Sequence, residues 1–127
     1  MTTAYWCVLI AILLPYVFTG YAKGAGPGFN SRTNHTPREF LEQLTGARKR
    51  AHWAQLNAFE AVPGFIAAVI IAHQLHMPQA SLDHLAVTFI IARLFYGFFY
   101  IKDLATLRTL AWMIGMGCIV TLFVKAA

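Results

Sequence analysis

The chain has 127 residues, 58% of them hydrophobic and 12% charged, with a formal charge of +5. Soluble domains average roughly 45–50% apolar and 25% charged, and a fold of this length could not hide so much apolar surface from water, which excludes an ordinary soluble domain. Six of the ten basic residues (Lys23, Arg32, Arg38, Arg48, Lys49, Arg50) lie in one stretch between two apolar segments. That is the positive-inside bias of a membrane protein and not the footprint of a nucleic-acid binder.

A helix needs about 20 apolar residues to cross the hydrocarbon core, and four stretches approach that length. The first, residues 3–21, carries no charge. It lacks the basic region and A-x-A site of a signal peptide, so it reads as a retained span, bent at Pro15. A loop rich in Gly, Pro and Asn follows Lys23. Thr36-Pro37-Arg38-Glu39 then reads as an N-cap, a first-turn proline and a capping-box acid, opening a helix that runs through Leu44 toward the membrane.

The second span, residues 51–72 with its extension from residue 37, holds Asn57, Glu60 and Pro63. A turn at residues 77–81 leads to the third span, residues 82–100, with Ser81 or Asp83 as its cap and Arg93 inside it. The fourth, residues 107–124, begins with Arg108 and has Gly115 and Gly117 near its middle, where a neighbouring backbone can approach. The prediction is an all-α, integral membrane four-helix bundle forming a single domain over residues 1–127. The first and third connections hold nearly all the Lys and Arg outside the helices. Both therefore belong in the cytoplasm and both termini outside it; the short loops fit a bacterial inner membrane.

Cys7 and Cys118 lie within apolar segments and read as small buried hydrophobes. No motif with metal- or nucleotide-binding spacing occurs, and His73, His76 and His84 near the second turn make a poor metal site. His52 reads as an edge residue, and Phe95, Phe98 and Phe99 as packing against lipid or helices.

A charge at the bilayer centre costs about 2.5–3.5 kcal/mol on insertion scales, so residues of this kind pair or mark a functional path. Glu60 lies ten residues past Arg50, and Arg93 nine before Lys102. At 1.5 Å per residue both sit about 14–15 Å from the basic edge. Matched depth on consecutive helices predicts an ion pair; the alternative is that each is solvated separately. Arg50, Trp53, Asn57, Glu60 and Gly64 share one helical stripe, and Arg93, Tyr96 and Tyr100 another. With Arg108 and Thr109 they outline a polar funnel suited to an anion. The same residues could instead bind helices together or anchor at the interface.

The run Arg50-Ala-His-Trp-Ala-Gln-Leu-Asn57-Ala-Phe-Glu60-Ala-Val-Pro63, followed by Arg93-Leu-Phe-Tyr96-Gly-Phe-Phe-Tyr100, resembles the MAPEG family, the membrane-associated proteins in eicosanoid and glutathione metabolism. The likeness covers residues 46–124, and the first span matches only in character. The resemblance implies four spans per subunit, a homotrimer within membrane lipid, and glutathione as co-substrate between subunits. Arg50, Asn57, Glu60, Arg93, Tyr96 and Tyr100 would bind or support glutathione, and Arg108 would stabilise its thiolate. The implied activity is a glutathione-dependent transferase or peroxidase acting on a hydrophobic small-molecule substrate, such as an apolar electrophile or a lipid hydroperoxide. Trp53 stands where several catalytic members carry a glutathione-binding arginine, and the Tyr100 to Arg108 spacing departs from theirs. A non-enzymatic lipid-binding or scaffolding member is therefore the alternative. A small multidrug transporter would place its essential acid in the first span, which here is uncharged.

Overall fold

The computed structural model describes all 127 residues. Its helices are α1 (Thr3–Gly24), α2 (Pro37–Gln43), α3 (Gly46–Gln74), α4 (Gln79–Ile101) and α5 (Ala105–Ala126), with a 3-10 turn at Thr33–His35 and no strand. All but α2 are long and apolar enough to cross a membrane. At most 39% of any spanning window is buried within the chain. The outward faces are nevertheless apolar (Leu13, Val17, Ile91, Met113 and Val124 among them), the pattern of a helix solvated by lipid.

The spans alternate in direction. α3 and α4 pack together, with α1 against both and α5 against both. Small residues set the spacing: Ala4, Ala11, Ala54, Ala58, Ala68, Ala72 and Ala86 are buried, letting backbones approach closely. Phe65 of α3 stacks on Phe89 of α4 at 3.9 Å in the half of the bundle nearer the termini. Phe18 of α1 fills the space over Gly97 of α4, where a Cβ would collide with its ring.

Three consecutive residues at the start of α3 hold the other end together. Arg48 donates through Nε to Ala22 O at 2.8 Å, through Nη2 to Lys23 O at 3.1 Å and through Nη1 to Pro27 O at 2.8 Å. Lys49 Nζ donates to Leu41 O and Glu42 O in the last turn of α2. Arg50 donates through Nε and Nη2 to Ile101 O, at the end of α4, at 3.1 and 3.0 Å. Successive side chains leave a helix about 100° apart, so three neighbours reach three different helices. The last carbonyls of a helix lack intrahelical donors and carry its partial negative charge. Those carbonyls offset the unfavourable placement of three cations at α3's own N-terminus.

At the opposite end, Asp83 Oδ1 accepts from the Ala4 N–H and from Gln79 Nε2, both at 2.8 Å. Asp83 thus caps α1 across the bundle, not its own helix as expected; Pro78 occupies α4's N-cap position. The helix expected to run on through Leu44 ends at Gln43, because Leu44 and Thr45 are extended and α3 starts afresh at Gly46, with φ +61°. Thr36 stands at α2's N-cap position with Pro37 behind it, but its hydroxyl makes no capping bond. α3 and α4 each end with a non-glycine residue in the left-handed region, His76 at φ 59° and Asp103 at φ 62°. Beyond them the Met77 and Leu104 N–H groups reach back to Ala72 O and Phe99 O.

Candidate functional site

The deepest cation is Arg93, 3% exposed on α4. Its Nη2 donates to Asn57 Oδ1 on α3 at 2.8 Å, and Asn57 Nδ2 donates in turn to Glu60 Oε2 at 3.1 Å. The direct Glu60–Arg93 ion pair expected from matched depth is therefore replaced by a relay through the amide. A buried ion pair must desolvate two charges; here Glu60 stays exposed and a neutral acceptor takes the buried contact. An amide can do this because it presents an acceptor and a donor at once.

Aromatic faces extend the relay along α4. The Arg93 guanidinium carbon lies 4.3 Å from the Tyr96 ring centroid. Tyr96 meets Tyr100 edge-on at 5.6 Å, and the Arg108 guanidinium carbon lies 4.4 Å from the Tyr100 centroid. Trp53 closes the other flank, 6.2 Å from Tyr100. Spacing by one helical turn puts Tyr96 and Tyr100 on one face of α4, and the tight turn at Asp103 brings Arg108 of α5 beside them.

Two clefts flank this row. One of about 380 Å³ is lined by Trp53, Leu56, Asn57, Glu60, Tyr96 and Tyr100. The other, about 220 Å³, is lined by Asn57, Tyr96, Tyr100, Arg108, Thr109 and Trp112. Asn57, Tyr96 and Tyr100 line both. Of the residues singled out from sequence, Asn57, Glu60, Tyr96, Tyr100 and Arg108 thus come together, with Arg93 behind them. Arg50 does not join them, because its guanidinium is spent on Ile101. Sequence reasoning passes over Leu56 and Trp112. Trp112 lies one turn beyond Arg108, a spacing that could have found it.

The family described as MAPEG family matches residues 3–127. The chain belongs to the MAPEG family. No curated protein and no solved structure matches it. Membership makes the chain an integral, multi-pass member of a family of membrane proteins in glutathione and eicosanoid metabolism. The match takes in α1, where sequence likeness went no further than character. In this MAPEG chain the paired clefts combine one cation at the wall, one exposed carboxylate and aromatic surfaces, so they suit a small ligand carrying both charges and an apolar group.

Proposed function

We propose that the chain is a glutathione-dependent membrane transferase or peroxidase, with the clefts around Tyr96 and Tyr100 as its glutathione site. The observation that carries this reading is Arg108, whose guanidinium is stacked on Tyr100 in a cleft shared with Asn57. A free thiol has a pKa near 8.5 and is only a few per cent ionised at pH 7. Lowering it by about two units takes roughly 2.7 kcal/mol of preference for the thiolate. One close guanidinium in a poorly solvated site supplies that amount.

In this reading Arg108 stabilises the thiolate, Glu60 takes the ligand's ammonium, and Asn57 and Tyr100 hold its peptide groups. Arg93 positions Asn57, and Arg50 supports the site by fixing the end of α4. The thiolate attacks an electrophilic carbon, forming a thioether as the leaving group departs. With a hydroperoxide, two thiols are oxidised to a disulfide while the peroxide becomes an alcohol and water. The site is shared between subunits of a homotrimer, and the basic end faces the cytoplasm.

A second reading, a lipid-binding member without catalysis, is favoured by an apolar groove of about 410 Å³ between α4 and α5. Ile91, Phe95, Phe99, Leu107, Leu110 and Ile114 are among its lining. Isothermal titration of the detergent-solubilised protein with glutathione separates the two. Saturable binding supports the transferase or peroxidase, and no heat at millimolar glutathione favours the lipid binder.

A further inference from the structure

The apolar groove of about 410 Å³ between α4 and α5 shares no residue with either of the clefts beside Tyr96 and Tyr100. On α5, at about 100° per residue, Leu107, Leu110 and Ile114 of the groove point away from Arg108 and Trp112 of the cleft. A second copy of the chain seated over the clefts therefore leaves the groove turned toward lipid. Nothing in the groove asks for a polar ligand. Thr88 is its one polar residue, and the Thr88 hydroxyl already donates to His84 O at 2.7 Å.

The groove follows a single stripe of α4 that ends on a cation. Thr88, Ile91, Phe95, Phe99 and Lys102 recur at intervals of three and four, and the Phe95 and Phe99 rings stack at 5.6 Å. From Thr88 to Phe99 the stripe measures about 16 Å, close to the roughly 15 Å that one leaflet contributes to the hydrocarbon core. Its outer end reaches the rim where Arg50 holds Ile101 O, and Lys102 is the next residue. At this rim Arg48, Lys49 and Arg50 are spent on backbone carbonyls, and Arg108 lies over Tyr100. The Lys102 ammonium is exposed and bonds to no group of the chain. Asp103, exposed beside it at the turn, limits how much negative charge the site accepts.

We propose that the groove between α4 and α5 seats one acyl chain of a singly anionic phospholipid from the leaflet at the basic rim, with Lys102 holding its phosphate. The apolar stripe matches the chain in length, and a concave wall surrounds it with more contacts than a convex helix face offers. The ammonium donates a charge-assisted hydrogen bond to a phosphate oxygen. The rim as a whole is basic, which favours a headgroup of net negative charge over a zwitterionic one. A second phosphate would meet Asp103, so one charge suits the site better than two. The site stands under either reading of the clefts, because nothing in it depends on glutathione.

The test is native mass spectrometry of the full chain released from micelles doped equally with phosphatidylglycerol, phosphatidylethanolamine and phosphatidylcholine of matched acyl chains. Phosphatidylglycerol is retained about fivefold over the other two, the contribution of one basic residue at a membrane surface. Lys102→Gln removes that preference, whereas Lys125→Gln, the same loss of charge at the opposite rim, leaves it in place. Asp103→Asn raises retention of phosphatidylglycerol, and asparagine tolerates the left-handed backbone at that position. Equal retention of the three lipids overturns the proposal, as does a preference that survives Lys102→Gln or falls equally with Lys125→Gln. Phosphatidylethanolamine retained best, and lost on Asp103→Asn, overturns it in favour of a zwitterion site. A diazirine on the acyl chain of phosphatidylglycerol gives a readout needing no variant: it labels the groove residues of α4 and α5, and label spread equally over Leu13 and Val17 of α1 is fatal to a seated chain. Glutathione titration is unchanged by Lys102→Gln, so the fate of this site is read separately from that of the thiol site.

Discussion

Arg93 Nη2 and Asn57 Oδ1 stand 2.8 Å apart, and this neutral acceptor, not Glu60, satisfies the most buried cation of the chain. The amide's two ends then tie the inside of the bundle to its cleft, since the same side chain that receives from Arg93 donates to Glu60.

Removing the amide should therefore cost more than removing the carboxylate. Asn57→Ala leaves a buried guanidinium without its acceptor, a loss of about 1.5–3 kcal/mol for a hydrogen bond to a charged group. Glu60→Gln changes only an exposed position and should stay within about 0.5 kcal/mol. Thermal unfolding in detergent measures both; an Asn57→Ala protein as stable as the parent would show that Arg93 finds another partner.

Arg108 touches Tyr100 but makes no hydrogen bond that holds the fold. Arg108→Ala should leave unfolding nearly unchanged while turnover with chlorodinitrobenzene or cumene hydroperoxide at pH 7 falls about 25-fold, the drop in ionised fraction when a thiol pKa rises from about 6.5 to about 8.5. Unchanged turnover would remove Arg108 from the chemistry.

Arg48 serves three carbonyls with one rigid fork. Arg48→Lys should not restore what Arg48→Ala loses, because an ammonium on a flexible stem cannot span Ala22, Lys23 and Pro27 together. Each variant should lose about 1–3 kcal/mol and become sensitive to proteolysis in the loop after α1. A lysine variant that resists protease like the parent would mean that charge alone suffices.

The glycines of α4 and α5 make a matched pair. Gly97→Ala drives a methyl into the Phe18 ring and should cost about 1–3 kcal/mol. Gly117→Ala meets nothing within 4 Å and should be neutral or stabilising. Equal unfolding temperatures for the two variants would contradict the close packing of α1 on α4.

The spans were legible because lipid imposes a length and a composition that any helix crossing it must meet, and Asn57, Tyr96, Tyr100 and Arg108 were legible because they recur at helical spacing or open a span. What the sequence hid was the choice of partner. Equal depth put Glu60 opposite Arg93, but depth fixes one coordinate only, and Asn57, one turn away, lay closer. Arg50 shared the polar stripe, yet the nearby carbonyl of Ile101 claimed it first. Asp83 stood in the right place to cap its own helix, and only the packing of α1 beside it shows which N–H it serves. Trp112 gives no signal by residue type in an apolar span, and only its spacing of one turn from Arg108 marks it.

The fan of Arg48, Lys49 and Arg50 has a mechanical consequence. It ties the ends of three helices to the first turn of a fourth, whereas the opposite half is held by Asp83 together with the larger apolar core around Phe65, Leu82, Phe89 and Leu122. One end of the bundle is therefore held by polar contacts to helix-end carbonyls and the other by apolar packing. Tyr100 is next to Ile101, whose carbonyl Arg50 holds, so the polar fastening reaches directly into the aromatic row on which Arg108 is stacked.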